Sequence, residues 1–117
     1  MHAWRPLLAA SLLALSLLAP ASAQAHSELK SVSPVDGSTL AATPGQVVLT
    51  FTDDVLGDFT QVTVTGPDGI AVTLPAPVST GPTVTQNLPP LANGLHTVAF
   101  RIVSADSHPI AGQSTFT

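Results

Sequence analysis

The sequence predicts an all-β fold, a sandwich of seven short strands. Eleven prolines and eight glycines interrupt the 117-residue chain at short intervals, and the runs between them are rich in valine, threonine and isoleucine. No stretch after residue 25 shows the periodicity of an amphipathic helix. The predicted strands are residues 28–33, 46–51, 61–65, 70–74, 83–87, 95–103 and 113–117.

The first 25 residues have the order of a secretory signal peptide. Arg5 precedes an apolar stretch, residues 7–18, which is too short to span a bilayer, and small residues follow up to Ala25. We therefore expect cleavage after Ala25. The mature protein is then a single exported domain, residues 26–117, that begins with His26. A membrane anchor is the weaker interpretation, because the apolar run stops before the small residues.

Cleavage leaves an acidic domain. Its only basic side chains are Lys30 and Arg101, against seven carboxylates, so its net charge is −5. Such a surface lacks the clustered positive charge that binds nucleic acid or anionic lipid, and cations are the more natural partners. The chain contains no cysteine. Disulfides and thiolate metal sites are therefore excluded.

One turn and the faces of one strand can be predicted from the local sequence. The "GPDG" at residues 66–69 predicts a tight turn. Along the longest predicted strand, alternation directs His96, Val98, Phe100 and Ile102 to one face, which we assign to the core. His96 is then interpreted as a hydrogen-bonded structural residue at the sandwich edge and not as a ligand.

Asp106 and His108 form the candidate metal-binding motif. They are two residues apart in "SADSHPIAG", and Pro109 restricts His108 to extended conformations, so both side chains can project to one side. By itself an Asp-x-His pair is a weak motif and is more often a loop carboxylate beside an ordinary histidine. The predicted cleavage site strengthens it, because it adds His26 at a free amino terminus.

An amino-terminal histidine offers its α-amine and its imidazole to the same ion. Together with the His108 imidazole and an Asp106 oxygen, His26 would complete a set of nitrogen and oxygen ligands that suits Cu(II) in tetragonal geometry. Zinc accepts such ligands but prefers a tetrahedral site and lies below Cu(II) in the order of affinities. The donor set therefore favours copper.

Three segments together resemble the CopC family of periplasmic copper-resistance proteins. They are "HSELKSVSPVDGSTL" after the signal, "VVLTFTDDV" on the second strand, and "GLHTVAFRIVSADSHPIAGQSTFT" at the end. The resemblance implies a seven-stranded Greek-key, immunoglobulin-like β-sandwich of the cupredoxin-like type. It also implies Cu(II) binding by His26, Asp106 and His108. Some members add a glutamate, and the matching position here is Asp53.

The chain departs from the family pattern in two respects. Some members carry a methionine-rich loop that binds Cu(I), but Met1 is the only methionine here and lies in the predicted signal. A soft-ligand Cu(I) site is therefore not expected. The family's usual tyrosine and tryptophan on the long strand are replaced by His96 and Phe100.

These observations predict a non-enzymatic periplasmic protein that binds Cu(II). Its expected role is sequestration, copper tolerance and delivery to an inner-membrane transporter that is a separate chain. One alternative is a copper-dependent oxidative enzyme, since polysaccharide monooxygenases also use an amino-terminal histidine brace. Another is a metal-free immunoglobulin-like structural module. No nucleophile motif of a hydrolase is present.

Overall fold

The computed structural model describes residues 28–117. The predicted signal peptide and His26 lie outside the described residues. Within residues 28–117, no helix is long and apolar enough to cross a membrane.

Seven antiparallel strands form two sheets. In chain order they are β1 (Leu29–Ser33), β2 (Gln46–Phe51), β3 (Gln61–Thr65), β4 (Val78–Thr80), β5 (Thr83–Asn87), β6 (His96–Val103) and β7 (Pro109–Phe116), with one 3₁₀ turn at Gly57–Phe59. One sheet has the order β1-β2-β5-β4 and the other the order β3-β6-β7. The chain passes between the sheets three times, after β2, β3 and β5. The Greek-key sandwich expected from the sequence is confirmed.

The core lies between the two sheets and is built by alternation along the strands. Nine apolar side chains are buried there: Val47, Leu49, Phe51, Val64, Val84, Val98, Phe100, Ile102 and Phe116. On β6 the buried positions are those that alternation assigned to the core, while Leu95 and Arg101 are exposed. Since the chain contains no cysteine, this packing must stabilise the domain without crosslinks.

His96 is a buried structural residue, as its position on the core face predicts. It is 3% exposed, its Nδ1 donates to the Gly94 carbonyl at 2.9 Å, and its ring stacks on Phe116 with centroids 5.3 Å apart. The hydrogen bond and the stacking account for a polar ring in this position.

The prediction of a strand at residues 70–74 is wrong. That segment makes only an isolated bridge, between Thr65 and Ala71. Val72 and Leu74 pack against the core without a continuous ladder, and Pro75 has no amide proton with which to extend one. The edge strand is instead β4, which lies between residues 74 and 83, where the sequence predicted no strand. A two-residue turn that includes Gly81 folds β4 onto β5.

The last strand begins four residues earlier than expected, at Pro109 instead of residue 113. Proline and glycine lower the strand propensity of residues 109–112, but proline is tolerated at the first position of an edge strand. Gly112 pairs with Phe100, and a Cβ at Gly112 would lie 2.7 Å from Phe100 Cζ. The Phe100 ring itself packs edge-on against Phe51. Gly112 is therefore needed to make room for an aromatic ring.

The predicted turn at residues 66–69 is confirmed. Gly69 N–H donates to the Gly66 carbonyl, and Gly69 has a φ of +78°.

Gly112→Ala should destabilise the domain by about 1–3 kcal/mol, because the added methyl group clashes with a ring that the core holds in place. Urea denaturation measures this change. Gly45→Ala is the matched control, since a Cβ there meets nothing within 4 Å and the backbone conformation is ordinary. Equal free energies of unfolding for the two variants would contradict the steric explanation.

Candidate metal centre

The loop between β6 and β7 places Asp106 and His108 together. Ser107 N–H donates to the Ser104 carbonyl at 2.8 Å, and Ser104 N–H donates to the His108 carbonyl at 2.9 Å. Ser107 closes this turn with a φ of +71°, a left-handed conformation that few residues other than glycine adopt. The turn brings the two side chains into contact, as the Asp-x-His spacing predicts.

The contact joins His108 Nδ1 to Asp106 Oδ2 at 3.0 Å, and both side chains are solvent-accessible, 55% and 38% exposed respectively. In the protein without metal this distance is that of a hydrogen bond. Two ligand atoms about 2.0 Å from one ion in neighbouring square-planar positions lie about 2.8 Å apart, which is similar to this separation. The separation of the two atoms is therefore close to that of adjacent ligands of one ion.

A residue that sequence reasoning missed, Ser104, also contacts this carboxylate. Its side chain is fully buried, and its Oγ donates a hydrogen bond to Asp106 Oδ1. The Ser104 hydrogen bond and, next, the hydrogen bond from His108 lower the pKa of Asp106 from 3.8 to about 2. The sequence signal that could have identified Ser104 is its position two residues before Asp106, because side chains two residues apart on an extended chain share a face.

Asp53 lies at the same end of the sandwich. Ala105 N–H donates to the Asp54 carbonyl at 2.8 Å, which fastens the chain after β2 to the loop after β6. Asp53 and Asp106 consequently line one open cleft, together with Thr52, Asp54, Pro82 and Ala105. This places Asp53 in the same cleft as Asp106.

The start of the described chain is fastened to this end of the fold as well. Glu28 N–H donates to Thr52 Oγ1 at 2.9 Å, and Thr52 N–H donates to the Glu28 carbonyl at 2.9 Å. Thr52 is thus a second residue near the site that sequence reasoning missed. His26 lies outside the described residues.

Within residues 28–117, no three histidine, aspartate or glutamate side chains gather closely enough to hold a metal ion. Asp106 and His108 supply one oxygen and one nitrogen donor, which is too few for a tight site without a further ligand. His96 is not that ligand. It lies seven residues along β6 from Val103, or about 24 Å at the rise of an extended strand, and therefore at the other end of the sandwich.

Comparison with known proteins identifies the family. The model of the CopC domain matches residues 29–117. The chain belongs to the CopC family. The match covers all seven strands and includes Asp106 and His108.

Relatives and solved structures agree with this assignment. Copper resistance protein C of Escherichia coli is 38% identical over 106 residues, covering 82% of this chain and 83% of the relative. The protein of the same name from Pseudomonas syringae pv. tomato is 34% identical over 115 residues, covering 91% and 90%. The crystal structure of CopC from Methylosinus trichosporium OB3b superposes with a TM-score of 0.74 at 29% identity, covering 79% of this chain and 92% of that one.

Asp106 should titrate with a midpoint of about 2 in the metal-free protein. Because its pKa is lowered on folding, the carboxylate stabilises the fold fully above pH 3.8, and this stabilisation is lost as pH falls to 2 and below. Carbon-detected NMR of the Asp106 carboxyl group measures the midpoint. An unstructured peptide of residues 104–108 is the control and should titrate near 3.8. A midpoint at 3.8 or above in the folded domain would contradict the hydrogen-bonding assignment.

Proposed function

We propose that this protein binds Cu(II) outside the cytoplasm and acts in copper tolerance. One observation carries the proposal: Asp106 and His108 pair at the end of the sandwich where Thr52 anchors the start of the described chain. The relatives named copper resistance protein C support copper as the ion. A nitrogen and oxygen donor pair without sulfur agrees with the divalent state.

The proposed ligands are the α-amine and imidazole of His26, the imidazole of His108 and one oxygen of Asp106. This set depends on cleavage after Ala25, with residues 1–25 as the signal and 26–117 as the copper-binding domain. Since the described residues supply only two adjacent donors, a bidentate residue at the amino terminus is the simplest way to complete a four-donor square plane. All these donors must be deprotonated, so binding weakens as pH falls.

Asp53 is proposed as a supporting carboxylate and not as one of the four donors. It lines the cleft with Asp106, where its negative charge favours a cation through a Coulomb interaction that salt screens. Its side chain is one methylene shorter than the glutamate found in some family members, which reduces its reach toward an ion.

The activity proposed is binding without turnover. An aspartate oxygen beside the histidines fills a position that an oxygen-activating copper enzyme would leave to oxygen or peroxide. Sequestration keeps the concentration of free copper low in the periplasm, the proposed location. Delivery to a membrane transporter, as a separate chain, is the proposed fate of the ion.

The specificity proposed is for Cu(II) alone. One structural relative, PcoC of Escherichia coli, is described as a methionine-rich copper resistance protein, and it superposes with a TM-score of 0.65 at 31% identity over 80% of this chain and 98% of that one. Here Met1 is the only methionine and no cysteine is present. The soft ligands that select Cu(I) are therefore missing.

An extra alanine before His26 should lower the affinity for Cu(II) at least about 10-fold, or about 1.4 kcal/mol, because it removes the α-amine from the chelate. Competitive titration of the protein that begins at His26 measures the loss, and electron paramagnetic resonance reports the change in nitrogen ligands. His108→Ala should weaken binding as well. His96→Gln, far from the cleft, is the control. Equal affinities for the native and extended proteins would refute the amino-terminal site, and absence of binding by either would refute the copper function.

Reduction should release the ion. On addition of ascorbate with a Cu(I) chelator, the loaded protein is expected to lose its copper, because no thioether or thiolate is present to hold Cu(I). The chelator's absorbance follows the transfer. Copper that stays on the protein after complete reduction would refute specificity for Cu(II). Detectable oxidation of a polysaccharide with peroxide, abolished by His26→Ala, would instead support the enzymatic alternative.

A further inference from the structure

We propose that Ser104 is a positioning residue of the copper site, which holds one oxygen of Asp106 so that the other faces the ion. This inference rests on the proposed function. It assigns a role to a hydroxyl that is neither a ligand nor exposed to solvent. Three features of the described structure support it. The backbone of Ser104 is held by hydrogen bonds, its hydroxyl donates to Asp106, and the two oxygens of Asp106 have different partners.

Ser104 is held in place by its backbone. It is 0% exposed and forms an antiparallel bridge with Val55. Its N–H donates to the His108 carbonyl, and its own carbonyl accepts from Ser107 N–H. Both polar groups of the backbone are therefore used inside the loop that carries the ligands. The backbone that carries the Oγ atom is therefore held in place by both the bridge to Val55 and the hydrogen bonds of the loop.

The hydroxyl of Ser104 has two acceptors within reach but only one proton. One is Asp106 Oδ1, and the other is the His108 carbonyl at 3.3 Å. A carboxylate is charged and is the stronger acceptor of the two, and the His108 carbonyl already accepts from Ser104 N–H. The proton is accordingly assigned to Asp106.

The two oxygens of Asp106 consequently have different partners. Oδ1 accepts from Ser104 Oγ and, at 3.3 Å, from His108 N–H. Oδ2 faces His108 Nδ1 at 3.0 Å, a separation that suits adjacent ligands. A terminal carboxylate torsion is otherwise broad, so without the hydroxyl the group would rotate more freely. Ser104 thereby keeps Oδ2 directed to the position of the ion before the ion binds.

Ser104→Ala should lower the Cu(II) affinity about 10-fold to 100-fold, the usual effect of losing a partner that orients a metal ligand. Competitive titration on the protein that begins at His26 measures this, with electron paramagnetic resonance on each product. Ser114→Ala is the matched control, because Ser114 is also a buried serine, 4% exposed, whose Oγ contacts an aspartate, Asp36, at 3.4 Å. The control should retain the wild-type affinity.

A double-mutant cycle with Asp106→Ala separates positioning from a general structural role. If Ser104 acts through Asp106, Ser104→Ala has no further effect on affinity or spectrum once Asp106 is alanine. An equal loss in both backgrounds would mean that the hydroxyl only supports the loop, and would overturn the inference. Wild-type affinity in Ser104→Ala would also overturn it while leaving the copper function intact. Failure of the wild-type protein to bind would refute both.

A measurement on the unaltered protein covers the case in which Ser104→Ala does not fold. In a crystal structure of the copper-loaded wild type, Ser104 Oγ should remain hydrogen-bonded to Asp106 Oδ1 while Oδ2 binds the ion. Binding of the ion through Oδ1, or rotation of the hydroxyl away from the carboxylate, would overturn the proposal.

Discussion

The pairing of β6 (His96–Val103) with β7 (Pro109–Phe116) is the interaction on which the rest of the structure depends. Eight residue pairs are in register, from His96 with Phe116 to Val103 with Pro109. The buried face of this ladder contributes much of the core, and its closed end is the loop that carries Asp106 and His108. Core packing and the geometry of the site are therefore consequences of the same register, and a slip of one residue would turn the core positions outward.

The site is assembled where three separate parts of the chain meet. The loop after β6 carries Asp106 and His108, the segment after β2 carries Asp53 and is joined to Ala105 through the Asp54 carbonyl, and Glu28 is hydrogen-bonded to Thr52. Each junction uses backbone or hydroxyl hydrogen bonds, which fix direction better than apolar contact does. The solvent-accessible side chains of Asp106 and His108 are thus supported by an ordered backbone, although no disulfide stabilises the domain.

The charge distribution also favours a cation at this end. Asp53, Asp54 and Asp106 all line the cleft, and hydrogen bonds from Ser104 and His108 lower the pKa of Asp106 to about 2, so this carboxylate stays ionised well into the acidic range. The Ser104 hydroxyl stabilises the charged form from the buried side, while the other side of the carboxylate faces solvent and His108. A carboxylate arranged in this way is available to a metal ion without first losing a proton.

Most of the fold and the contact between Asp106 and His108 could be predicted from the sequence, because alternation and turn residues act over a few positions. Alternation placed His96 and Phe100 in the core, and the spacing of Asp106 and His108 brought them together in the turn. Tertiary structure alone decided that β4 lies at Val78–Thr80 and that β7 starts at Pro109, since both depend on which neighbouring strand supplies hydrogen bonds. It also decided the roles of Ser104 and Thr52. Their partners are set by the meeting of β2, the chain start and the β6–β7 loop, and contacts between distant segments leave no periodic signal in a single sequence.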